Sequence, residues 1–160
     1  MLFRVSGGDA DEVRIWLTRR LVKQLWPNLV QLLSNKVAQE IPTANHDARR
    51  MVLGMQHEAA VGQADFSQPY RTRPMQFPLG ESPFVAAKIT MNVLPNALYL
   101  LALHPAEGRG VDLRLTEPLL HSWRRMLQKA CREAEWDLAL GFPGSPLTAA
   151  EGSAESRVLN

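Results

Sequence analysis

Between residues 85 and 115 the chain alternates apolar and polar positions in three short runs, each closed by a turn signal. Val85, Ala87, Ile89, Met91 and Val93 interleave with Ala86, Lys88, Thr90 and Asn92, the two-residue period of a strand with one wet face. Pro95 and Asn96 suit a tight reversal. A second run, 97–103, leads to a turn in which Gly108 and Gly110 can take positive φ. A third run directs Val111, Leu113 and Leu115 inward and Asp112 and Arg114 outward. Together they predict a three-stranded antiparallel meander.

The middle run is apolar on both faces, with Leu98, Leu100 and Ala102 on one and Tyr99, Leu101 and Leu103 on the other. Continuity with its neighbours predicts an inward face of Val85, Ala87, Ile89, Met91, Val93, Leu98, Leu100, Val111, Leu113 and Leu115. Tyr99, Leu101 and Leu103 then look outward, where water contact costs about 1.5 to 3 kcal/mol per large side chain. Something must cover them. One cover is the proline-rich segment 65–83, carrying Met75, Phe77 and Leu79; the other is a partner protein or a second copy of the chain.

Elsewhere the period changes to that of helices. Residues 2–6 alternate and stop at Gly7 and Gly8, which predicts a first strand; the pattern leaves open whether it joins the meander. Asp9 or Asp11 then caps a long helix with Glu12 in its first turn; Ile15, Val22, Leu25, Trp26, Leu29, Val30 and Leu33 form its apolar face, to about Ala38. Pro27 falls on the polar face, which predicts a kink and not a break. Ile41 and Pro42 end this helix. Thr43 or Asn45 caps a second one, spaced by Ala48, Met51, Val52, Met55 and Ala59 and ending near Gly62.

Pro69, Pro74, Pro78 and Pro83 exclude a helix between the second helix and the meander. After the meander, Thr116 caps a last helix with Glu117 and Pro118 in its first turn and a core stripe of Leu119, Trp123, Met126, Leu127, Ala130 and Ala134. Beyond Asp137, glycines, prolines and small polar residues predict a disordered tail over 138–160. The expected fold is a single α+β domain over 1–137: the meander, plus a possible N-terminal strand, packed against two N-terminal helices and one C-terminal helix.

A chain of 160 residues can bury a core without metals or disulfides, and 46% hydrophobic with 21% charged residues is ordinary for a globular domain. Arg19, Arg20, Lys23 and Gln24 interrupt the longest helical pattern, so no apolar run crosses a membrane, and the opening residues lack a secretory signal pattern. With the single Cys131, these features lead us to expect a cytoplasmic, bacterial-type protein. A net charge of +2 argues only weakly for an anionic partner.

Candidate chemistry is sparse. Arg124, Arg125, Lys129 and Arg132 should project from the last helix as a cationic strip able to dock a nucleic acid or another polyanion, unless it is solvated surface diluted by Glu133 and Glu135. Arg19 borders the apolar face of the first helix and needs a carboxylate or carbonyl partner. His46 and His57 lie too far apart for one metal, and neither His104 nor His121 adds a ligand pair. Cys131 reads as a small core hydrophobe.

The turn holding His104, Glu107 and Arg109 gathers a base, an acid and a cation, enough for a small-anion site or an enzyme pocket. No motif calls for a cofactor or metal. The leading expectation is therefore a non-enzymatic accessory or regulatory protein that associates with a partner, or with itself, through Tyr99, Leu101 and Leu103. Polyanion binding and chemistry at the 104–110 loop are the alternatives.

Overall fold

The computed structural model describes residues 1–7, 11–64 and 76–143. In chain order the elements are β1 (Leu2–Ser6), β2 (Glu12–Trp16), α1 (Arg19–Glu40), α2 (His46–Gln63), β3 (Phe84–Val85), β4 (Lys88–Leu94), β5 (Leu98–His104), β6 (Val111–Thr116) and α3 (Glu117–Glu133). They form two small sheets, ordered β1-β2-β3 and β4-β5-β6. The α+β class, the meander and the three helices agree with expectation, and β1 belongs to a separate sheet.

The first correction concerns residues 12–16, which are a strand and not the opening of a helix. Gly7 N–H donates to Asp11 C=O, and β2 returns antiparallel to β1 with Phe3 opposite Ile15 and Val5 opposite Val13. The branched Val13 and Ile15 pack well on a pleated surface, and both are buried. The helix starts later, at Arg19, where Thr18 Oγ1 accepts from Leu21 N–H at 3.2 Å. It runs through Pro27 to Glu40 without a break. Asn45 Oδ1 caps α2 by accepting from Ala48 N–H at 2.8 Å.

The second correction reverses the faces of β5. Residues directly opposite each other across an antiparallel ladder point to the same side. Tyr99, Leu101 and Leu103 stand opposite Val93, Met91 and Ile89 on β4 and opposite Leu115, Leu113 and Val111 on β6. They therefore belong to the inward face. Leu98, Leu100 and Ala102 look outward with Lys88, Thr90, Asn92, Asp112 and Arg114.

The cause is the turn. Leu94 pairs with Leu98, so residues 95–97 form a three-residue connection with positive φ at Asn96 and Ala97. Placing Val93 and Leu98 on one face misjudges that turn by one residue, and a slip of one inverts every side chain. A further irregularity lies between β3 and β4. There Ala86 is buried, whereas Val85 and Ala87, expected inward, are exposed.

Tyr99, Leu101 and Leu103 are 2%, 0% and 0% exposed. α1 packs on β4, and α3 packs on β5 and β6, so the chain's own helices roof this face. The expected partner surface at these residues does not exist. Of the described part of the proline-rich segment, Phe77 takes the Arg14 guanidinium on its ring and Leu79 packs at the core edge; Met75 lies outside the described residues.

α2 and α3 also present different stripes from those expected. Leu53, Gly54, His57 and Ala60 face inward on α2, which leaves Met51 and Met55 exposed. On α3 the buried set includes Leu120, Trp123, Arg124, Leu127 and Cys131, while Leu119, Met126 and Ala134 are exposed. Past α3 the chain stays packed, with Leu140 and Phe142 buried. Residues 138–143, expected in the tail, are thus part of the packed chain, and the remainder of that expectation lies outside the described residues. No helix among the described residues is long and apolar enough to cross a membrane.

Candidate functional site

A groove of about 590 Å3 opens between α1 and β4. Asn28, Gln31, Asn35 and Gln39 recur along α1 at helical spacing and give one wall a row of amides, with Leu32 and Lys36 beside them. Ile89, Thr90, Met91 and Val93 give the other wall. Thr90 points to one face of the sheet and Ile89, Met91 and Val93 to the other, so the groove wraps the edge of β4 and not one of its faces.

Tyr99 lines the groove from beneath, and its buried hydroxyl has no hydrogen-bond partner. Of the three residues expected to meet a partner, it alone touches this opening. Lys36 Nζ contacts Glu117 Oε2 and lies 3.2 Å from Glu40 Oε1. Burial pulls the lysine pKa down, but the hydrogen bond to Glu117, Tyr99 and Glu40 outweigh it and leave the pKa raised. Burial, then Glu117, raises the Tyr99 pKa, so it is a neutral phenol able to donate or accept.

From this corner a line of polar groups enters the core. His121 Nε2 is 3.9 Å from Glu117 Oε1, and His121 Nδ1 is 3.2 Å from His57 Nδ1. His57 Nε2 contacts Arg124 Nη2. A guanidinium can only donate, so His57 Nε2 accepts and its proton sits on Nδ1; that proton is donated to His121 Nδ1, which places the second ring's proton on Nε2. Both imidazoles are thereby neutral. Burial first, then Arg124, lowers the His57 pKa to about 3, and burial lowers that of His121 to about 4.

Arg124, expected in solvent, is 2% exposed. Its guanidinium lies 3.8 Å from the Phe142 ring centroid and 5.5 Å from that of Trp26, while Nε and Nη1 have no hydrogen-bond partner. Burial, then Arg125, lowers its pKa to about 10, still charged at neutral pH. The cationic strip is reduced to Arg125, Lys129 and Arg132, and Lys129 pairs with Glu133 at 3.7 Å. Sequence reasoning missed the buried array because its members come from two helices. A signal was present: Leu120, Arg124, Leu127 and Cys131 share one helical face.

In the 104–110 loop the three candidate groups form no hydrogen bond or ion pair with one another. His104 Nε2 bonds Asp112 Oδ1 at 2.8 Å, and Glu107 and Arg109 are exposed. Gly110 is required there because a Cβ would stand 2.4 Å from Leu103 C=O, and Gly108 takes φ +95°. His46 is exposed beside Asp47. Arg19 finds its carbonyl partner in Asp137 at 3.1 Å but remains exposed. Cys131 is buried, and burial raises its pKa, so the thiol is held protonated. Among the described residues no three metal-ligating side chains gather. Compared with known proteins, the chain matches no family model, no curated protein and no solved structure.

Proposed function

We propose that this chain is a binding protein that takes up an extended segment of another protein as an added strand along the edge of β4 that is unpaired among the described residues. The observation that carries the reading is the state of that edge. Among the described residues β4 pairs on one side only, with β5. Proteins ordinarily blunt such edges with charge, proline or bulges. Here Lys88 and Pro95 stand at the two ends, and the six residues from Ile89 to Leu94 carry neither charge nor proline. The edge strands β6 and β1, in contrast, carry Asp112 with Arg114, and Arg4.

The wall formed by α1 selects the occupant. A second copy pairing through its own β4 would bring its own α1 into the space that the first α1 already lines. A lone extended segment brings no helix. Its backbone would complete the ladder, and its alternate side chains would meet either the α1 amides or solvent.

Selection of peptides from a random display library tests this, with amide hydrogen exchange locating the bound peptide. Enriched peptides are expected to slow exchange along β4 and to lose binding when the edge receives charge in Thr90→Lys with Val93→Lys, both exposed positions. No enrichment, or protection confined to another element, would sink the proposal.

A further inference from the structure

A separate cavity of about 300 Å3 lies between α1 and the first turns of α2, and its chemistry differs from that of the groove. His46, Arg49, Arg50 and Leu53 stand at i, i+3, i+4 and i+7, so a single stripe of α2 supplies one wall. Ser34 and Asn35 of α1 belong to the other, and buried Leu53 marks the inner end. The lining thus holds two guanidinium groups and an imidazole, and no carboxylate.

Little of this donor set is used by the fold. Neither arginine has an ion pair among the described residues, although carboxylates are near in sequence: Glu40 engages Lys36 and Gln56, and Asp47 lies 3.6 Å from His46. Arg49 Nη2 donates to Pro42 C=O and Nε is buried, which fixes the guanidinium and leaves Nη1 as its open donor. The Arg50 guanidinium is exposed and, like the Ser34 hydroxyl and the Asn35 amide, has no hydrogen-bond partner among the described residues. Both helices therefore turn donors to one hollow.

We infer that this cavity binds the phosphoryl group of a small phosphate monoester. Arginine offers paired N–H donors that match phosphate oxygens, and three terminal oxygens can use donors from both walls where the two of a carboxylate would leave some over. The volume is at the low end for ligand pockets, which suits a phosphate on a short organic body and not a polymer. The site stands apart from the β4 edge, since only Asn35 lines both openings. It is also distinct from the strip on α3, because Arg125, Lys129 and Arg132 line no part of it.

Titration of the isotope-labelled full chain with inorganic phosphate, glycerol phosphate or acetate, followed by amide NMR at constant ionic strength, tests this. Both phosphates should shift amides of 34–38 and 46–53 saturably, the ester at least as tightly as the free ion, and acetate should shift them little. Arg50→Gln, at an exposed position, should weaken ester binding about tenfold, the effect of losing a charge-assisted contact. Arg49→Gln should weaken it at least as much. Should that variant unfold through loss of the bond to Pro42, Arg50→Gln and Ser34→Ala, the latter expected to weaken the ester several-fold, still decide the matter. Exclusion of the ester, an equal response to acetate, or shifts that do not saturate or survive Arg50→Gln unchanged would overturn the proposal.

Discussion

Lys36 and Arg124 are both cations removed from bulk water, and the protein treats them in opposite ways. Lys36, on α1, keeps about a quarter of its side chain exposed and has two carboxylates beside it. Arg124, on α3, is buried with no carboxylate in contact; it rests on a neutral imidazole and two aromatic faces. The first arrangement leaves negative charge over. The second leaves positive charge over, at a cost in stability that hydrophobic burial elsewhere must offset. The two histidines separate these regions and stay neutral because burial disfavours their charged forms, and the cation at one end of their line adds to that.

Acid should break the comparison most violently. His57 and His121 have folded pKa values of about 3 and about 4, below the usual 6.5, so below pH 6.5 the unfolded chain binds protons that the folded chain refuses. Stability is unaffected by the pair above that pH and falls progressively as pH drops toward the folded values. At about 1.4 kcal/mol per unit of depression, the combined loss between pH 7 and pH 4 is on the order of 5 kcal/mol. That is comparable to the whole stability of many domains. Denaturant unfolding at pH 7, 5.5 and 4 measures it, and a flat profile would mean that the rings are not buried as a neutral pair.

Removing the cation itself should have a smaller effect of the opposite sign. Arg124→Met deletes a buried charge and two nitrogens without partners while keeping aliphatic volume against Trp26 and Phe142. Orphaned buried groups cost about 1 to 3 kcal/mol each, against roughly 0.5 to 2 kcal/mol for a cation–π contact and one lost bond to His57. A net gain of about 1 kcal/mol at pH 7 is expected. The acid slope should shrink but persist, because burial, and not the arginine, is the larger cause of the His57 depression. A loss above about 2 kcal/mol would show the stack with Phe142 to be worth more than the charge costs.

Neither region was readable from spacing alone, for reasons that differ. The meander, α2 and the start of α3 were legible because Asn45, Pro118 in the first turn of α3 and the alternation of β4 and β6 are local signals; Thr116 holds the N-cap position, but its side chain makes no capping bond. The phase of β5 was not, since a strand apolar on both faces fits either orientation and only the three-residue turn at 95–97 decides. β2 escapes a reading by period because Ile15 fits a helical stripe as well as a strand, and only the return of the chain beside β1 decides between them. The Arg124 site required knowing that α2 and Phe142 cover the flank of α3 bearing His121, so the aliphatic Leu119 and Met126 are left to water. Charge ordinarily goes with exposure, and at Arg124 tertiary packing overrides it.

The smallest effect falls on Lys36, and it tests whether the corner is built for stability at all. If Lys36 were mainly a structural ion pair, Lys36→Met would leave Glu117 half-buried without a countercharge and destabilise by several kcal/mol, as breaking a buried pair does. Lys36 and Glu117 still see water, with side chains 24% and 21% exposed, and exposed pairs are worth about 1 kcal/mol or less. A loss near 1 kcal/mol at pH 7, by denaturant unfolding, is therefore expected. Combined with Glu117→Gln, which removes the charge left unpaired, the loss should shrink and the two effects should not add. Additive losses would mean that the two side chains do not act on each other, and the excess negative charge assigned to this corner would have no basis.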